Sequence, residues 1–202
     1  MKTVAFFLEE PSSRIFLEEL IKANFKINPA EVNIRYSVYE GKQDLEKNLE
    51  KRIRGWNVPD TTFIVLRDQD SEACEDIKRR LVEKCKAAGK PEIIVRIACH
   101  ELESFFLGDL SALERALHIA NIARQQNKRK YREPDNLEKP SHEISVLLSR
   151  RNKRKKSYLK IEGARKIAPL LDPARNTSHS FGVLYQSLCK VLQPEADQPA
   201  PV

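Results

Sequence analysis

Three pairs of acidic residues have types and spacing that suit metal binding. They are Glu9 and Glu10, Asp68 and Asp70, and Glu101 and Glu103. In an extended segment, residues two apart point to the same side, so Asp68 and Asp70 are expected to converge. Two carboxylates about 4 Å apart repel by roughly 4 kcal/mol at an effective dielectric near 20, and a cation offsets that repulsion. Mg²⁺ prefers oxygen ligands and binds phosphates, so the pattern favours phosphoryl transfer or phosphodiester hydrolysis.

In an alternative interpretation, these acids bind no metal. Arg67, Lys42 or helix N-termini would neutralise them as ordinary surface pairs, and Asp70 or Ser71 would cap the next helix. Spacing alone does not separate the two interpretations.

The elements that must position the acids are four predicted strands. Short apolar or alternating segments span residues 3–8, 31–39, 61–66 and 92–98. Amphipathic helical patterns follow the first three, over residues 13–24, around Leu45, Leu49 and Ile53, and over residues 71–88. This alternation predicts an α/β fold with a mainly parallel four-stranded sheet flanked by helices. Ligands bind beyond the carboxyl ends of such strands, where all three acidic pairs lie.

The rest of the chain is predicted to be helical. Residues 111–130 are expected to form one long helix, followed by an irregular connector at 131–140, a weaker helix at 141–149 and a closing helix at 178–192. We therefore expect an α/β core at 1–110, a basic helical extension packed on it at 111–193, and a disordered tail at 194–202.

Positive charge is concentrated in this second half. Residues 1–110 carry 18 Lys and Arg against 20 Asp and Glu, whereas residues 111–202 carry 18 against 9. Two basic clusters stand out. One holds Lys128, Arg129, Lys130 and Arg132, and the other, with Tyr158 among its charges, holds Arg150, Arg151, Lys153, Arg154, Lys155, Lys156 and Lys160. Beside a carboxylate metal site, these clusters favour nucleic acid as the partner, although a solvated basic loop would have the same composition.

The absence of other sequence motifs argues against several common classes of protein and metal site. The four cysteines lack the close pairing of a zinc site, and the chain has no GxGxxG, GxxxxGK[ST] or GxSxG motif. No apolar run approaches the roughly 20 residues of a membrane span. Without a recognisable signal peptide, a reduced cytoplasm is the expected location, and the oligomeric state stays open. His100 adjoins the acidic exit of the fourth strand and is a secondary site candidate.

Ordered blocks along the chain resemble a known family. They are FLEEPSS, EGKQDL, VLRDQDSEAC, RIACHELESFFLGDL, KYREPDNL and NTSHSF. These blocks resemble an uncharacterised bacterial Toprim-like domain-of-unknown-function family, often encoded beside an AAA ATPase in defence loci. That family is related to Toprim nucleases of the overcoming-lysogenisation-defect type.

The resemblance implies a Toprim-like fold and a Mg²⁺- or Mn²⁺-dependent nuclease that acts on DNA or RNA, in phage defence with an ATPase partner. It implies the following roles: Glu9 as general base or acid, Asp68 and Asp70 as metal ligands with Glu9, Glu103 as the next ligand, and Glu10, Lys42, His100, Glu101 and Asp109 as secondary candidates. One departure is Glu10-Pro11 after Glu9, where the family pattern commonly has glycine.

Two other functions are compatible with the same residues. A catalytically inactive Toprim-like module would bind nucleic acid or an ATPase partner without a metal. A haloacid-dehalogenase-like phosphatase would use Asp68 as nucleophile and Asp70 as acid. The phosphatase is disfavoured, because that fold carries its DxD motif on the first strand and here two strand–helix units precede it.

Overall fold

The computed structural model describes residues 1–151, except the side chains of Arg150 and Arg151, and residues 157–193. Its four strands are β1 (Lys2–Leu8), β2 (Val32–Val38), β3 (Thr61–Asp68) and β4 (Ile94–Ala98). They form one parallel sheet in the order β2-β1-β3-β4. The predicted α/β class and four-stranded parallel sheet are confirmed.

The described residues contain nine α-helices around this sheet. They are α1 (Pro11–Asn24), α2 (Lys42–Arg54), α3 (Cys74–Ala87), α4 (Glu103–Leu107), α5 (Leu110–Leu117), α6 (Arg129–Arg132), α7 (Pro140–Arg151), α8 (Lys160–Ile167) and α9 (His179–Leu192). Short 3₁₀ turns lie at Ala123–Gln125, Pro134–Asn136 and Ala168–Leu170. The predicted helices at 141–149 and 178–192 correspond to α7 and α9.

Each face of the sheet has its own hydrophobic core. Leu45 and Leu49 of α2 pack with Ile77 and Leu81 of α3 against one face. The other face is covered by α1 together with the helices after β4. On that side Phe16, Phe105 and Phe181 contact one another in succession with tilted rings, whose centroids are 5.5 and 5.6 Å apart. One core therefore spans both sides of the predicted boundary near residue 110, and the division into core and extension stays a prediction. Residues 194–202 lie outside the described residues.

The predicted single helix over residues 111–130 is wrong. Helix α5 ends at Leu117, because His118 adopts a left-handed backbone conformation (φ 54°) and Asn121 repeats it (φ 65°). The side chain of Glu114 then accepts a hydrogen bond from the Ala123 backbone N–H at 2.8 Å, which holds the chain in its new direction. The helical periodicity of the sequence was real, but two left-handed residues divide it into α5, a 3₁₀ turn and α6.

Two further differences concern the ends of helices. Helix α3 begins at Cys74 with Ala73 as its N-cap, so neither Asp70 nor Ser71 caps it. The short helices α4 and α8 were not predicted from the sequence, because five to eight residues are stabilised by packing rather than by intrinsic propensity.

Candidate active site

The sheet register brings the acidic strand exits together. Leu8 at the end of β1 lies between Val38 and Leu66, and Asp68 at the end of β3 lies beside Ala98. Glu9 therefore projects next to the end of β3, where its Oε2 accepts a hydrogen bond from the Asp68 backbone N–H at 3.1 Å. Burial raises the pKa of Glu9, and the charge of Asp70 raises it further, although the Asp68 N–H opposes the shift.

Asp68 is the most strongly perturbed member of the group. Asp68 is the last residue of the inner strand β3 and is only 6% exposed. Burial raises the pKa of its carboxyl well above the usual value, and the negative charges of Glu10, Glu103 and Glu9 add to the effect. Such a combination of desolvation and like charges at strand ends is typical of functional sites.

Glu103 reaches the same site from α4. It is fully buried, and within the described part of the chain neither of its carboxylate oxygens has a hydrogen-bond partner. Burial raises its pKa to about 7, an effect that Lys160 opposes and Glu101 reinforces. The hydroxyl of Tyr158 lies beside this carboxylate, but no hydrogen bond of normal geometry joins them. An unsatisfied buried carboxylate is costly, and its persistence calls for a functional explanation.

Lys160 supplies positive charge to the cluster. It is the first residue of α8, and its Nζ lies 3.2 and 3.3 Å from the two carboxylate oxygens of Glu10. Although burial opposes it, the carboxylates of Glu103, Glu10 and Asp68 raise the pKa of Lys160. The sequence placed Lys160 in a basic run expected to contact phosphates and did not predict its contact with the acids, because 150 positions separate it from Glu10.

Asp70 has a different partner from Asp68. Strand β3 ends at Asp68, and Asp70 adopts a left-handed conformation (φ 56°), so the two-residue alternation of a strand does not extend to it. Its Oδ2 accepts a hydrogen bond from Lys42 Nζ at 2.9 Å, and its side chain is 37% exposed. Lys42 thus neutralises Asp70, as one of the two sequence interpretations proposed.

A buried guanidinium supports the site from behind. Arg67 is 1% exposed, and its Nε lies 3.9 Å from Glu9 Oε2. Its Nη2 pairs with Glu72 at 2.9 Å and approaches Glu46 at 3.4 Å. Arg80 binds the same two acids. This network fixes the charge environment of Glu9 from the α2 and α3 side of the sheet.

His100 and Gln69 join the exits of β3 and β4. The His100 backbone N–H donates to Gln69 Oε1 at 3.1 Å, and its carbonyl accepts from the Asp70 N–H at 2.8 Å. The His100 ring Nδ1 lies 3.2 Å from the Asp70 carbonyl. His100 and Gln69 therefore hold the two strand exits together by hydrogen bonds.

Two of the secondary candidates for the site, Glu101 and Asp109, form hydrogen bonds with other parts of the fold. Glu101 Oε2 accepts a hydrogen bond from the Ser141 N–H at 2.7 Å, at the start of α7. Asp109 is fully buried and caps α5, and its carboxylate also binds the Asp172 N–H and the guanidinium of Arg175. The structure gives both residues a structural role.

The predicted basic clusters are described only in part. Lys128, Arg129 and Lys130 are exposed, and Lys130 pairs with Glu143 of α7. Arg150 and Arg151 belong to the last turn of α7, but their side chains are not described. Lys153, Arg154, Lys155 and Lys156 lie outside the described residues.

The donor chemistry of the cluster fits a hard divalent cation. Glu9, Glu10, Asp68 and Glu103 offer carboxylate oxygens, and those of Glu103 are unsatisfied. Within residues 1–151 and 157–193, however, no group of three or more His, Cys, Asp or Glu side chains is already arranged to hold a metal ion. The residues therefore suit Mg²⁺ by type and charge, and binding would require them to move together.

The parallel sheet with acidic strand exits is consistent with a Toprim-like α/β fold. The chain belongs to the family described as Domain of unknown function (DUF4276), whose model matches residues 8–189. No curated protein and no solved structure matches the chain significantly. Among the described residues, no helix is long and apolar enough to cross a membrane.

Proposed function

We propose that this protein is a Mg²⁺-dependent, Toprim-like nuclease that hydrolyses phosphodiester bonds of DNA or RNA in the cytoplasm. The observation that carries the proposal is Asp68, buried at the end of β3 among the carboxylates of Glu9, Glu10 and Glu103. Several carboxylates that are close together and shielded from water destabilise the fold unless a cation neutralises them. A bound Mg²⁺ would supply that neutralisation.

The residues that would hold Mg²⁺ or Mn²⁺ are Glu9, Asp68, Asp70 and Glu103. When bound, the ion would polarise a phosphate oxygen and lower the pKa of a coordinated water. Glu9 is the candidate general base or acid, because burial raises the pKa of its carboxyl above the usual value and so makes it a stronger base. Asp70 would have to exchange Lys42 for the metal.

The polyanionic substrate is supported by the charge distribution. The second half of the chain carries twice as many Lys and Arg as Asp and Glu. Lys128 and Arg129 are exposed there, and we propose that they and the basic segment 150–156 contact phosphates. Phage defence and an AAA ATPase partner are proposed on the family resemblance alone.

A second candidate function is a catalytically inactive module that binds nucleic acid or an ATPase. Two ion pairs favour it: Lys42 already neutralises Asp70, and Lys160 already neutralises Glu10. In addition, Glu10 and Pro11 occupy positions where glycine would give a phosphate closer access to the backbone.

Incubation with plasmid, single-stranded DNA and RNA under Mg²⁺ or Mn²⁺ tests the first proposal. Wild type should cleave at least one substrate, and Asp68→Asn should be slower by about 100-fold or more. Asp76→Asn on α3 is the matched control, because Asp76 is an exposed aspartate paired with Arg79. Equal cleavage by wild type and Asp68→Asn would refute the metal assignment. Calorimetry without Mg²⁺ or Mn²⁺ uptake, together with salt-sensitive nucleic-acid binding, would favour the inactive module.

A further inference from the structure

The outer strand β2 exposes a row of backbone hydrogen-bonding groups. Among the described strands, β2 pairs with β1 alone. The Glu31 carbonyl accepts from the Lys2 N–H at 2.8 Å, and the Tyr39 N–H donates to the Leu8 carbonyl at 2.9 Å. Since the backbone groups of successive residues in a strand point to opposite sides, the odd-numbered residues of β2 face β1.

The even-numbered residues of β2 consequently face outward. The N–H of Val32 is taken by the Asn28 carbonyl at 3.0 Å. Ile34, Tyr36 and Val38 remain, and each directs one N–H and one C=O away from the sheet. Such an edge is a template for an added strand unless the protein covers it.

Two grooves flank this edge and carry positive charge. One, of about 600 Å³, is lined by Tyr36 of the strand, by Tyr39 just after it, and by α2, whose Lys51 and Arg52 outnumber the one acid there, Asp44. The other, of about 340 Å³, is lined by Arg14, Arg35, Arg52 and Trp56.

Most of these cations form no ion pair with another described residue. In the described part of the chain, Arg35, Lys51 and Arg52 form no ion pair, whereas Arg14 pairs with Glu18 at 2.8 Å. Arg35 instead lies over the ring of Trp56, 6.0 Å from its centroid. The buried Tyr39 hydroxyl has no hydrogen-bond partner there either. The edge thus combines open backbone groups with unneutralised cations.

We propose that β2 is a docking edge for an extended acidic segment of a partner protein, which adds to the sheet as a fifth strand. Strand addition gives affinity through main-chain hydrogen bonds and specificity through alternate side chains. Acidic side chains on one face of the added strand would meet Arg35, Lys51 and Arg52. This inference does not depend on the proposed metal site.

Two other occupants fit the edge less well. In a second copy of this chain, antiparallel pairing of β2 with itself would bring Arg35 and Arg52 close to the same cations of the other copy, and like charges across a strand pair are destabilising. A DNA backbone offers phosphate oxygens to the outward N–H groups but no donors for the outward carbonyls, and an RNA backbone adds only the 2′-hydroxyl of each ribose. An acidic peptide satisfies both the charges and the hydrogen bonds.

The test uses the full chain and a fluorescent peptide of about eight alternating glutamate and valine residues, the length of a short strand. Anisotropy should show binding, and a lysine–valine peptide should not bind. Arg35→Glu/Arg52→Glu should weaken the affinity by about tenfold or more. Lys78→Glu/Lys86→Glu, which makes the same charge change on the exposed face of α3, should leave the affinity nearly unchanged.

Hydrogen exchange distinguishes strand addition from simple charge attraction. Bound peptide should slow exchange at the N–H groups of Ile34, Tyr36 and Val38 by about tenfold or more. Binding without that protection would overturn the proposal, as would an absence of binding. Protection of the same amides by single-stranded DNA instead of the peptide would assign the edge to nucleic acid. A dimer in sedimentation whose formation alone protects the N–H groups of Ile34, Tyr36 and Val38 from exchange would assign it to a second copy.

Discussion

Replacing Glu103 with glutamine should stabilise the protein at alkaline pH. The carboxyl of Glu103 has its pKa raised by burial from the usual 4.5 to about 7. Below pH 4.5 it is protonated in both the folded and the unfolded chain. Between these two values the unfolded chain loses the proton while the folded chain keeps it, so the stability falls as the pH rises. Above pH 7 the cost is constant at about 3 kcal/mol, since a tenfold change in acidity corresponds to about 1.4 kcal/mol.

Urea unfolding of wild type and Glu103→Gln from pH 4 to pH 8.5 measures this cost. The free energy of unfolding of the variant, minus that of wild type, should increase by about 3 kcal/mol across the range. Taking the difference removes the contribution of groups that titrate alike in both proteins. Glu83→Gln, at an exposed position of α3, should give a flat difference.

Two results would refute the reasoning about Glu103. A flat difference would show that the carboxyl does not titrate near neutrality. A variant that becomes less stable than wild type as the pH rises would show that attraction to Lys160 exceeds the cost of burial. In that case Glu103 would belong to a stabilising ion pair, and its claim to a functional role would weaken.

Three further substitutions test other parts of the structure. Lys160→Met removes the cation beside Glu10 and should lower the free energy of unfolding at pH 8 by about 1 kcal/mol, because the pair is partly exposed, with Mg²⁺ restoring part of it in thermal melts. Arg67→Met removes a buried guanidinium whose partners Glu9 and Glu72 are partly exposed, and Arg80 still pairs with Glu72, so it should cost about 1–3 kcal/mol in urea unfolding. His118→Gly relieves a left-handed residue and should stabilise by about 0.5–1 kcal/mol, whereas a continuous helix there would lose about 1 kcal/mol.

The sheet was predictable from the sequence because local hydrophobicity determines it. The run Phe63 to Leu66 is apolar on both faces, as a central parallel strand requires, and the structure buries all of it. Parallel strands place their carboxyl ends at one edge, so the neighbourhood of Glu9 and Asp68 also follows from the strand pattern.

The composition of the site was less predictable because its charges come from distant positions. Lys160 and Tyr158 approach Glu103 only after the chain has passed through several helices. Asp68 is buried and Asp70 pairs with Lys42 because the backbone of Asp70 is left-handed, and the spacing of the two residues does not reveal that conformation. Helix periodicity likewise could not show the left-handed residue at His118 that ends α5.

Burial, rather than spacing, distinguishes the acids to which we assign the proposed function. Asp70 has the predicted spacing, yet it is partly exposed and paired with Lys42, so its charge costs the fold little. Asp68 and Glu103 are buried among like charges, which Lys160 from α8 opposes. The helices after β4 therefore exclude water from these carboxylates, and this burial raises their pKa values. A mutational search for activity should begin with Asp68 and Glu103 and treat Asp70 as the weaker candidate.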